Sequence, residues 1–249
     1  EPYCSPLMFM ASLLPRTDRI KFATGVVNAP NRHPAHVAAE AAQFDHMSRG
    51  RFILGIGTGS LPTDSELFGV NVDAEQKARM LIEHIEMIEK IWAQDPPYDI
   101  RGEFWNVKVK DSLFLEVGFG IMAKPFQRPR PRICIPSATP NSKSTYVCGQ
   151  RGWGPVSSAL LGAEALGHHW RNYRQGCLDG GREVDPLNWR VVRSVLVAAT
   201  DEEARARAFS ADSAQRDFFG HFFKIFRRNN LLGALRSRPG MSDGEITID

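Results

Sequence analysis

The sequence has few cysteines and no long apolar run. Its 249 residues include only four cysteines, and no pair of them stands in a CxxC or metal-knuckle spacing: Cys4, Cys134, Cys148 and Cys177. A disulfide-rich secreted domain is therefore excluded, and we expect reduced, mostly buried thiols in a cytoplasmic protein. No apolar run reaches the roughly 18 residues that cross a bilayer, so no membrane association is expected.

The sequence also lacks a strong excess of charge. Its 31 Lys and Arg residues nearly balance its 28 Asp and Glu residues, with a net charge of +3. No nucleic-acid-binding module is recognisable, so we expect no nucleic-acid partner. The basic stretch Arg205–Arg238 is interleaved with phenylalanines and is interpreted as a solvated helical surface. A basic lip that attracts an anionic cofactor or substrate is the alternative.

Strand and helix signals alternate along the chain. Strands are predicted at Ile20–Val27, Arg51–Ile56, Arg132–Pro136, Trp153–Ser157 and Trp189–Ala199. Helices are predicted at Pro6–Leu14, from Pro34 to a stop at Gly50, at Asp73–Trp92, Asn141–Gly149 and Ala163–Leu178, and after a cap at Thr200–Glu203. The segment Tyr98–Lys124 interrupts this rhythm and is predicted to contain a short hairpin.

This alternation predicts an α/β protein with a parallel sheet. A (β/α)8 TIM barrel takes about 250 residues before insertions. Five predicted strands over 249 residues, with cut ends and a long excursion, fit such a barrel lacking its first two strands and its last strand. An open doubly wound sheet is the alternative. Because the sequence starts at Glu1 without methionine and ends at Asp249, where another strand would begin, we expect a single domain over 1–249, truncated at both ends, with an excursion at about 98–126.

Two loops that follow predicted strands carry residues suited to an anionic ligand. The first, Gly55–Pro62, is neither a dinucleotide fingerprint nor a P-loop, but its glycines allow close approach of a phosphate or a flat ring. A tight turn without a ligand is the alternative. The second loop, Pro136–Pro140, places Ser137 and Thr139 before a helix, where they either cap it or bind an anion. Together the loops favour one phosphate-bearing ligand.

Histidines give a weaker signal. The loop Asn28–Pro34 contains His33, and a lone histidine there is more often structural than catalytic. The pairs His168-His169 and Asp45-His46 lie on predicted helices without partners at metal spacing, so they are interpreted as surface or packing residues and no metal site is expected. Glu83, Glu86 and Glu89 are interpreted as a charged helix face.

Several segments together resemble the bacterial luciferase-like flavin monooxygenases. They are Thr24-Gly25-Val26, Arg32-His33-Pro34, Phe44–Phe52, Gly55–Gly59 and Asp64–Gly69. Leu61-Pro62 is most similar to the limonene- and alkanal-monooxygenase branch. The resemblance covers about Glu1 to Ala206 and implies a (β/α)8 barrel, usually a homodimer. It also implies reduced FMN supplied by a partner reductase, molecular oxygen, and a small apolar substrate such as a terpenoid, ketone or aldehyde.

The resemblance assigns cofactor roles by position. Thr24, Gly25 and Val26 would lie against the isoalloxazine ring, where relatives often have a non-prolyl cis peptide. Thr58 stands where the luciferase has a phosphate-binding arginine. The remaining candidates for the phosphate are Lys77, with Arg79 as the alternative, and the loop residues Ser137, Ala138 and Thr139.

The resemblance leaves the catalytic acid or base unassigned. The family's best-known catalytic histidine would precede Glu1, so His33, near the ring, is the one weak candidate. Tyr98–Phe126 and Phe218–Phe226 are candidates for an apolar pocket and lid, with a satellite hydrophobic cluster as the alternative. Two rival functions stay open: a deazaflavin-dependent oxidoreductase, as in some relatives, and a non-catalytic flavin-binding protein.

Overall fold

The computed structural model describes residues 5–235 and 241–246 of the chain. The chain forms two compact units, Glu1–Ile135 and Pro136–Asp249, which we call unit 1 and unit 2. Cys4 lies outside the described residues. The other three cysteines are buried free thiols, as expected: Cys134, Cys148 and Cys177.

Unit 1 alternates strands with helices. Its strands are β1 (Phe22–Ala23), β2 (Val27–Asn28), β3 (Phe52–Gly57), β4 (Tyr98–Arg101), β5 (Asn106–Val109) and β6 (Arg132–Ser137), whose last residues belong to unit 2. Its helices are α1 (Pro6–Leu13), α2 (Pro34–Met47), α3 (Pro62–Phe68) and α4 (Ala74–Ala93). Strand β3 pairs in parallel with β1, β2 and β6, so it is the central strand of this unit.

The core of unit 1 forms around β3 because this strand is apolar. Phe52 is buried, and its ring lies 5.1 Å from that of Phe44 on α2, which in turn lies 5.8 Å from Phe22 on β1. Helix α4 buries Leu81, Ile85 and Ile88 on one face, and Trp92 near its end donates from Nε1 to the carbonyl of Ala38 at 3.1 Å. Aromatic packing and this bond hold the two long helices against the sheet.

The excursion contains the predicted hairpin, since β4 and β5 pair antiparallel. Its C-terminal end is held by α2. The buried carboxylate of Asp45 accepts the backbone N–H of Gln127 at 2.8 Å and its side-chain amide at 2.7 Å, and His46 Nε2 donates to the carbonyl of Lys124 at 2.9 Å. Asp45 is therefore a fully buried packing residue, whereas His46 is exposed and bonds from the surface of α2.

Unit 2 continues with α5 (Ser144–Arg151), β7 (Gly154–Ser157), α6 (Ala163–Asp179), β8 (Arg190–Val191), α7 (Asp201–Phe209) and α8 (Ala214–Arg228). Strands β7 and β8 pair in parallel. Helices α5 and α6 pack closely through two glycines. A Cβ atom at Gly149 would lie 2.2 Å from the carbonyl oxygen of Tyr173, and one at Gly176 would lie 2.0 Å from that of Tyr146.

The predicted strand Trp189–Ala199 is wrong for most of its length. Only Arg190 and Val191 pair with β7, and the residues after them are irregular, with Val195 and Val197 exposed. A β-branched run forms a strand only where a neighbour pairs with it and a core covers one face. The strand predicted at Ile20–Val27 is likewise divided into β1 and β2, and α3 was not predicted.

The α/β class and the parallel strand pairing are confirmed. The barrel with particular strands missing, the single domain over 1–249 and the homodimer stay predictions. Among the described residues, no helix is both long enough and apolar enough to cross a membrane.

Candidate functional site

Thr24 and Gly55 join the segment after β1 to β3. The Thr24 hydroxyl donates to the carbonyl of Gly55 at 2.7 Å and accepts its N–H at 2.9 Å, and Thr24 is buried. A Cβ atom at Gly55 would lie 1.8 Å from the carbonyl oxygen of Thr24. Only glycine fits at position 55, and the Thr24 side chain is fully used within unit 1.

Gly25 and Val26 are the accessible part of the predicted ring contact. The peptide bond between them is cis, which confirms the expectation drawn from the resemblance. Gly25 is exposed, and a Cβ atom placed on it would meet no atom within 4 Å. The backbone of this segment therefore borders open space that a flat ring could fill.

The glycine-rich loop after β3 is held from its side. Asn28 donates from Nδ2 to the Asp64 carboxylate at 2.9 Å, and Gly59 has a positive φ of 71° that favours glycine. The Thr58 hydroxyl donates a long, 3.4 Å bond to the carbonyl of Gly59. Thr58 is half-buried and offers a neutral hydroxyl, so its contact with a phosphate stays a prediction from the resemblance.

Lys77 is better placed than Arg79 to meet an anion in unit 1. Lys77, in the first turn of α4, donates from Nζ to the Ser65 hydroxyl at 2.7 Å, which leaves its charge uncompensated by that partner. Arg79 forms an ion pair with Glu103 at 3.3 Å, and its guanidinium lies over the Phe104 ring at 5.9 Å. The hairpin thus engages Arg79.

His33 has a structural role in unit 1. It is exposed, and its Nδ1 accepts the N–H of Ala35 at 3.2 Å as the N-cap of α2. Through this bond His33 satisfies one of the unpaired N–H groups in the first turn of α2. Its role near the flavin ring stays a prediction.

A second histidine, His84 on α4, was not found from the sequence. It is fully buried against the Trp105 ring at 5.2 Å, and its Nε2 donates to the carbonyl of Arg32 at 3.1 Å. Its Nδ1 is buried and has no hydrogen-bond partner among the described residues. Burial lowers the pKa of His84 from 6.5 to about 4, so its imidazole is neutral at physiological pH.

Glu83 is also more than part of a charged helix face. Its carboxylate accepts three consecutive backbone N–H groups of the hairpin turn, from Glu103 at 2.7 Å, Phe104 at 2.9 Å and Trp105 at 3.0 Å. A carboxylate that accepts several backbone N–H groups is strongly held, so Glu83 fixes the hairpin against α4. This correction to the predicted charged face could not be read from the local sequence.

In unit 2, the predicted loop contains a cluster of three hydroxyls. Ser137 is buried at the end of β6, and its Oγ lies 2.7 Å from that of Ser144, the first residue of α5. The Oγ of Ser142 lies 2.7 Å from the same Ser144 oxygen. No side chain caps α5, so simple capping by Ser137 or Thr139 does not occur. Ala138 and Thr139 are exposed.

A chain of hydrogen bonds runs from this loop into the core of unit 2. His169 on α6 bonds through Nε2 to the carbonyl of Thr139 at 2.8 Å and through Nδ1 to Ser157 Oγ at 2.8 Å. Trp189 donates from Nε1 to the same Ser157 oxygen at 2.9 Å. His169 and Ser157 are fully buried, so His169 is a packing residue and not a surface one, whereas His168 is partly exposed.

The two candidate pocket segments present apolar side chains to solvent. The part of the excursion after β5 exposes Phe114, Leu115, Val117, Phe119, Ile121 and Phe126. In unit 2, Phe218 on α8 lies 4.9 Å from Phe222, which lies 5.9 Å from Phe226, ring centre to ring centre. Across residues 5–235 and 241–246, no group of three or more His, Cys, Asp or Glu side chains could hold a metal ion.

Comparison with known proteins gives several matches. The chain is 32% identical over 208 residues to 4-hydroxyprotoasukamycin monooxygenase of Streptomyces nodosus subsp. asukaensis, covering 80% of this chain and 52% of that protein. It is 32% identical over 209 residues to limonene 1,2-monooxygenase of Rhodococcus erythropolis, covering 83% and 50%. The chain thus spans about half the length of these relatives.

A solved structure and a family model agree with these matches. The oxygenating constituent of 3,6-diketocamphane monooxygenase from Pseudomonas putida, solved with FMN, superposes with a TM-score of 0.82 at 26% identity, over 98% of this chain and 67% of that one. The model of the luciferase-like monooxygenases matches residues 2–242. The chain therefore belongs to the luciferase-like monooxygenase family.

Proposed function

We propose that this chain is the oxygenase component of a two-component monooxygenase. It would use reduced FMN from a partner reductase, and molecular oxygen, to oxidise a small apolar substrate such as a terpenoid, ketone or aldehyde. Family membership and two relatives named as monooxygenases support this proposal. The solved neighbour, described as an oxygenating constituent in complex with FMN, supports both the cofactor and the division into components.

The open space beside Gly25 is the observation that carries the proposal. The hydroxyl of Thr24 is turned inward to Gly55, so the backbone of Gly25 and Val26 is what a ligand would meet there. A flat ring packs well on bare backbone because no side chain holds it away. When bound, reduced FMN supplies the electrons for oxygen reduction, and this segment would orient the ring.

Each unit also offers a candidate for the phosphate of FMN. In unit 2, the loop Ser137–Thr139 leads through a hydroxyl cluster to the uncapped first turn of α5. Hydroxyls and helix N–H groups are donors that suit a phosphate. In unit 1, Lys77 is a cation bonded to a neutral hydroxyl. Thr58 would contribute at most one weak bond.

The exposed apolar side chains of the excursion fit an apolar substrate or lid. Solvent-exposed phenylalanines such as Phe114 and Phe119 are unfavourable in water unless something covers them. The hairpin beside them is fixed to α4 by Glu83, so the apolar part extends from a rigid base. Covering the flavin with this segment would exclude water from the reacting oxygen.

The first experiment follows the reoxidation of bound reduced FMN. The anaerobic complex of the intact protein is mixed rapidly with oxygenated buffer, and the absorbance of oxidised flavin is recorded against time. We expect oxidised FMN to return more slowly than in a protein-free solution. Reoxidation at the rate of free FMN, together with turnover only on a deazaflavin, would favour the deazaflavin oxidoreductase instead. Binding without either activity would identify a non-catalytic relative.

A matched pair of glycine variants tests the ring position. A Cβ atom meets nothing within 4 Å at Gly25 or at Gly162, so both sites accept a side chain without a clash. Gly25→Leu fills the proposed ring space, whereas Gly162→Leu places the same side chain before α6. We expect only Gly25→Leu to abolish FMN binding, measured by quenching of flavin fluorescence. Equal affinity for FMN in both variants would show that the flavin ring does not bind at Gly25 and Val26.

A further inference from the structure

We propose that His169 is a positioning residue that holds the Ser137–Ser144 loop in the shape that binds a phosphate group. The inference rests on the proposed function, because the phosphate is taken to be that of FMN. His169 itself lies buried behind the loop and touches it through one backbone carbonyl, that of Thr139. Its effect would therefore be exerted through the loop and not by contact with the flavin.

The two ends of the hydrogen-bond chain fix the protons on the groups that lie there. The carbonyl oxygen of Thr139 can only accept, so Nε2 of His169 carries a proton. The indole Nε1 of Trp189 can only donate, so Ser157 Oγ accepts from it. The same Ser157 oxygen lies 2.8 Å from Nδ1 of His169, which completes the series of bonds from Trp189 to Thr139. Both ring nitrogens of His169, the Ser157 hydroxyl and the Trp189 indole N–H are therefore paired.

This chain of bonds ties the loop to rigid parts of unit 2. Ser157 ends β7 and His169 lies in the middle of α6. The ring of Trp189 stacks on that of Trp170 at 5.5 Å, with an angle of 26° between the planes. Buried polar networks whose members are all satisfied specify one arrangement, because breaking any bond leaves an unpaired group in a dry environment.

The loop end of the chain continues directly into the hydroxyl cluster. The carbonyl of Thr139 also accepts the N–H of Ser142 at 3.2 Å, and the Ser142 and Ser137 hydroxyls meet at Ser144. A shift of the Thr139 carbonyl would therefore displace Ser142 and open the cluster. Small displacements of donors weaken the recognition of an anion strongly, since its hydrogen bonds depend on distance and angle.

Three substitutions of His169 distinguish its hydrogen bond to Thr139 from its hydrogen bond to Ser157. His169→Gln keeps an amide donor near the position of Nε2 for the Thr139 carbonyl. His169→Asn is shorter and keeps an acceptor only near Ser157, and His169→Phe keeps neither bond. The neighbouring His168, on the partly exposed side of α6 near Glu164, is the control as His168→Gln and His168→Phe.

The measured quantity is the ratio of the dissociation constants of riboflavin and FMN on the intact protein. These two ligands differ only in the phosphate, so the ratio reports its recognition. We expect His169→Asn and His169→Phe to lower the ratio about tenfold, which corresponds to one net hydrogen bond to a charged group. His169→Gln and both His168 variants should keep the wild-type ratio. Thermal unfolding checks that each variant is folded.

The outcomes distinguish the inference from the function on which it rests. A wild-type protein that binds riboflavin as tightly as FMN overturns the phosphate assignment, and the role of His169 with it. A wild-type preference for FMN that survives in His169→Asn and His169→Phe overturns the role of His169 alone. If His169→Phe does not fold, the contrast between the Gln and Asn variants decides: equal ratios would show that the bond to Thr139 does not matter.

Discussion

A fully buried histidine lies in each unit, and the two are bonded differently. His84 in unit 1 uses one nitrogen, and its Nδ1 has no partner among the described residues. His169 in unit 2 uses both nitrogens and links a surface loop to the core. The two histidines are therefore equally buried but have different roles. His84 is a packed ring that resists protonation, whereas His169 transmits the position of one segment to another.

The candidate cofactor segments of the two units are held in place by different interactions. In unit 1, Thr24 and Gly55 are held by a backbone approach so close that no Cβ atom fits. In unit 2, the Ser137–Ser144 loop is held by a series of side-chain hydrogen bonds. The first arrangement depends on the absence of a side chain, and the second depends on particular side chains. Substitutions should therefore affect the units through different mechanisms.

The largest expected effect identifies the unit that binds the phosphate. Removing both candidates, with Lys77→Ala and Ser137→Ala together, should weaken FMN binding by about 2–4 kcal/mol, the scale of lost hydrogen bonds to a charged group. Isothermal titration with FMN measures this, and the single variants divide the loss between the units. Arg79→Ala is the control, since Arg79 is paired with Glu103. Unchanged affinity in the double variant would contradict both assignments.

Lowering the pH should destabilise the folded protein through His84. The pKa of this histidine is about 4 in the folded protein against 6.5 in the unfolded chain, so the unfolded state binds a proton first. The free energy of unfolding should therefore fall as the pH drops from 6.5 towards 4, by about 3 kcal/mol from this group. Urea unfolding at about pH 7 and pH 4.5 compares the wild type with His84→Gln.

The variant His84→Gln should lose this part of the pH dependence. His36, exposed on α2, provides the control, and His36→Gln should keep the wild-type slope. Equal pH dependence in the wild type and in His84→Gln would show that His84 is not the group whose protonation is resisted.

A methyl group at position 55 tests the close approach in unit 1. Gly55→Ala should reduce the free energy of unfolding by about 1–3 kcal/mol, because the new Cβ atom overlaps the Thr24 carbonyl and backbone must move. Gly25→Ala is the control in the same segment and should leave stability unchanged. Thermal denaturation of both variants makes the comparison. A stable Gly55→Ala protein would mean that the two segments separate easily.

The smallest effect compares one buried hydroxyl from each unit. The hydroxyls of Thr24 and Ser157 each make two hydrogen bonds. Thr24→Val and Ser157→Ala should therefore cost similar amounts, about 1–2 kcal/mol of unfolding free energy. They should differ in ligand binding, because only Ser157→Ala loosens the loop that contains Ser137. If both variants lower the ratio of the riboflavin and FMN dissociation constants equally, the effect is not specific to the loop in unit 2, and the prediction is contradicted.

Local sequence signals predicted much of the fold. Proline at the first turn and an apolar face defined α2, and the long amphipathic pattern defined α4. Helix α3 was missed although Pro62 begins it and Gly69 ends it in a left-handed conformation. The strand at Trp189–Ala199 was wrong because β-propensity carries no information about whether a partner strand is present.

The site was predicted less completely, since its interactions join residues far apart in the chain. The cis peptide at Gly25–Val26 followed from the family resemblance alone. The burial of His169 had a local signal, because Ala165, His169, Tyr173 and Cys177 recur at every fourth position along one face of α6, and all are buried. No local sequence signal indicated that Thr139 and Ser157 are its hydrogen-bond partners. The bonds of the Thr24 hydroxyl to Gly55 could not be predicted either, because they depend on the pairing of β1 with β3.

The three bonds to Glu83 have a consequence for sequence variation. The carboxylate recognises the N–H groups of residues 103–105, and every residue except proline has one. Positions 103 and 104 can therefore exchange side chains while the turn keeps its place, provided that the carboxylate stays. A comparison of homologous sequences would score these positions as variable and the helix position as constrained. Low sequence identity in the hairpin thus does not imply that its backbone has moved.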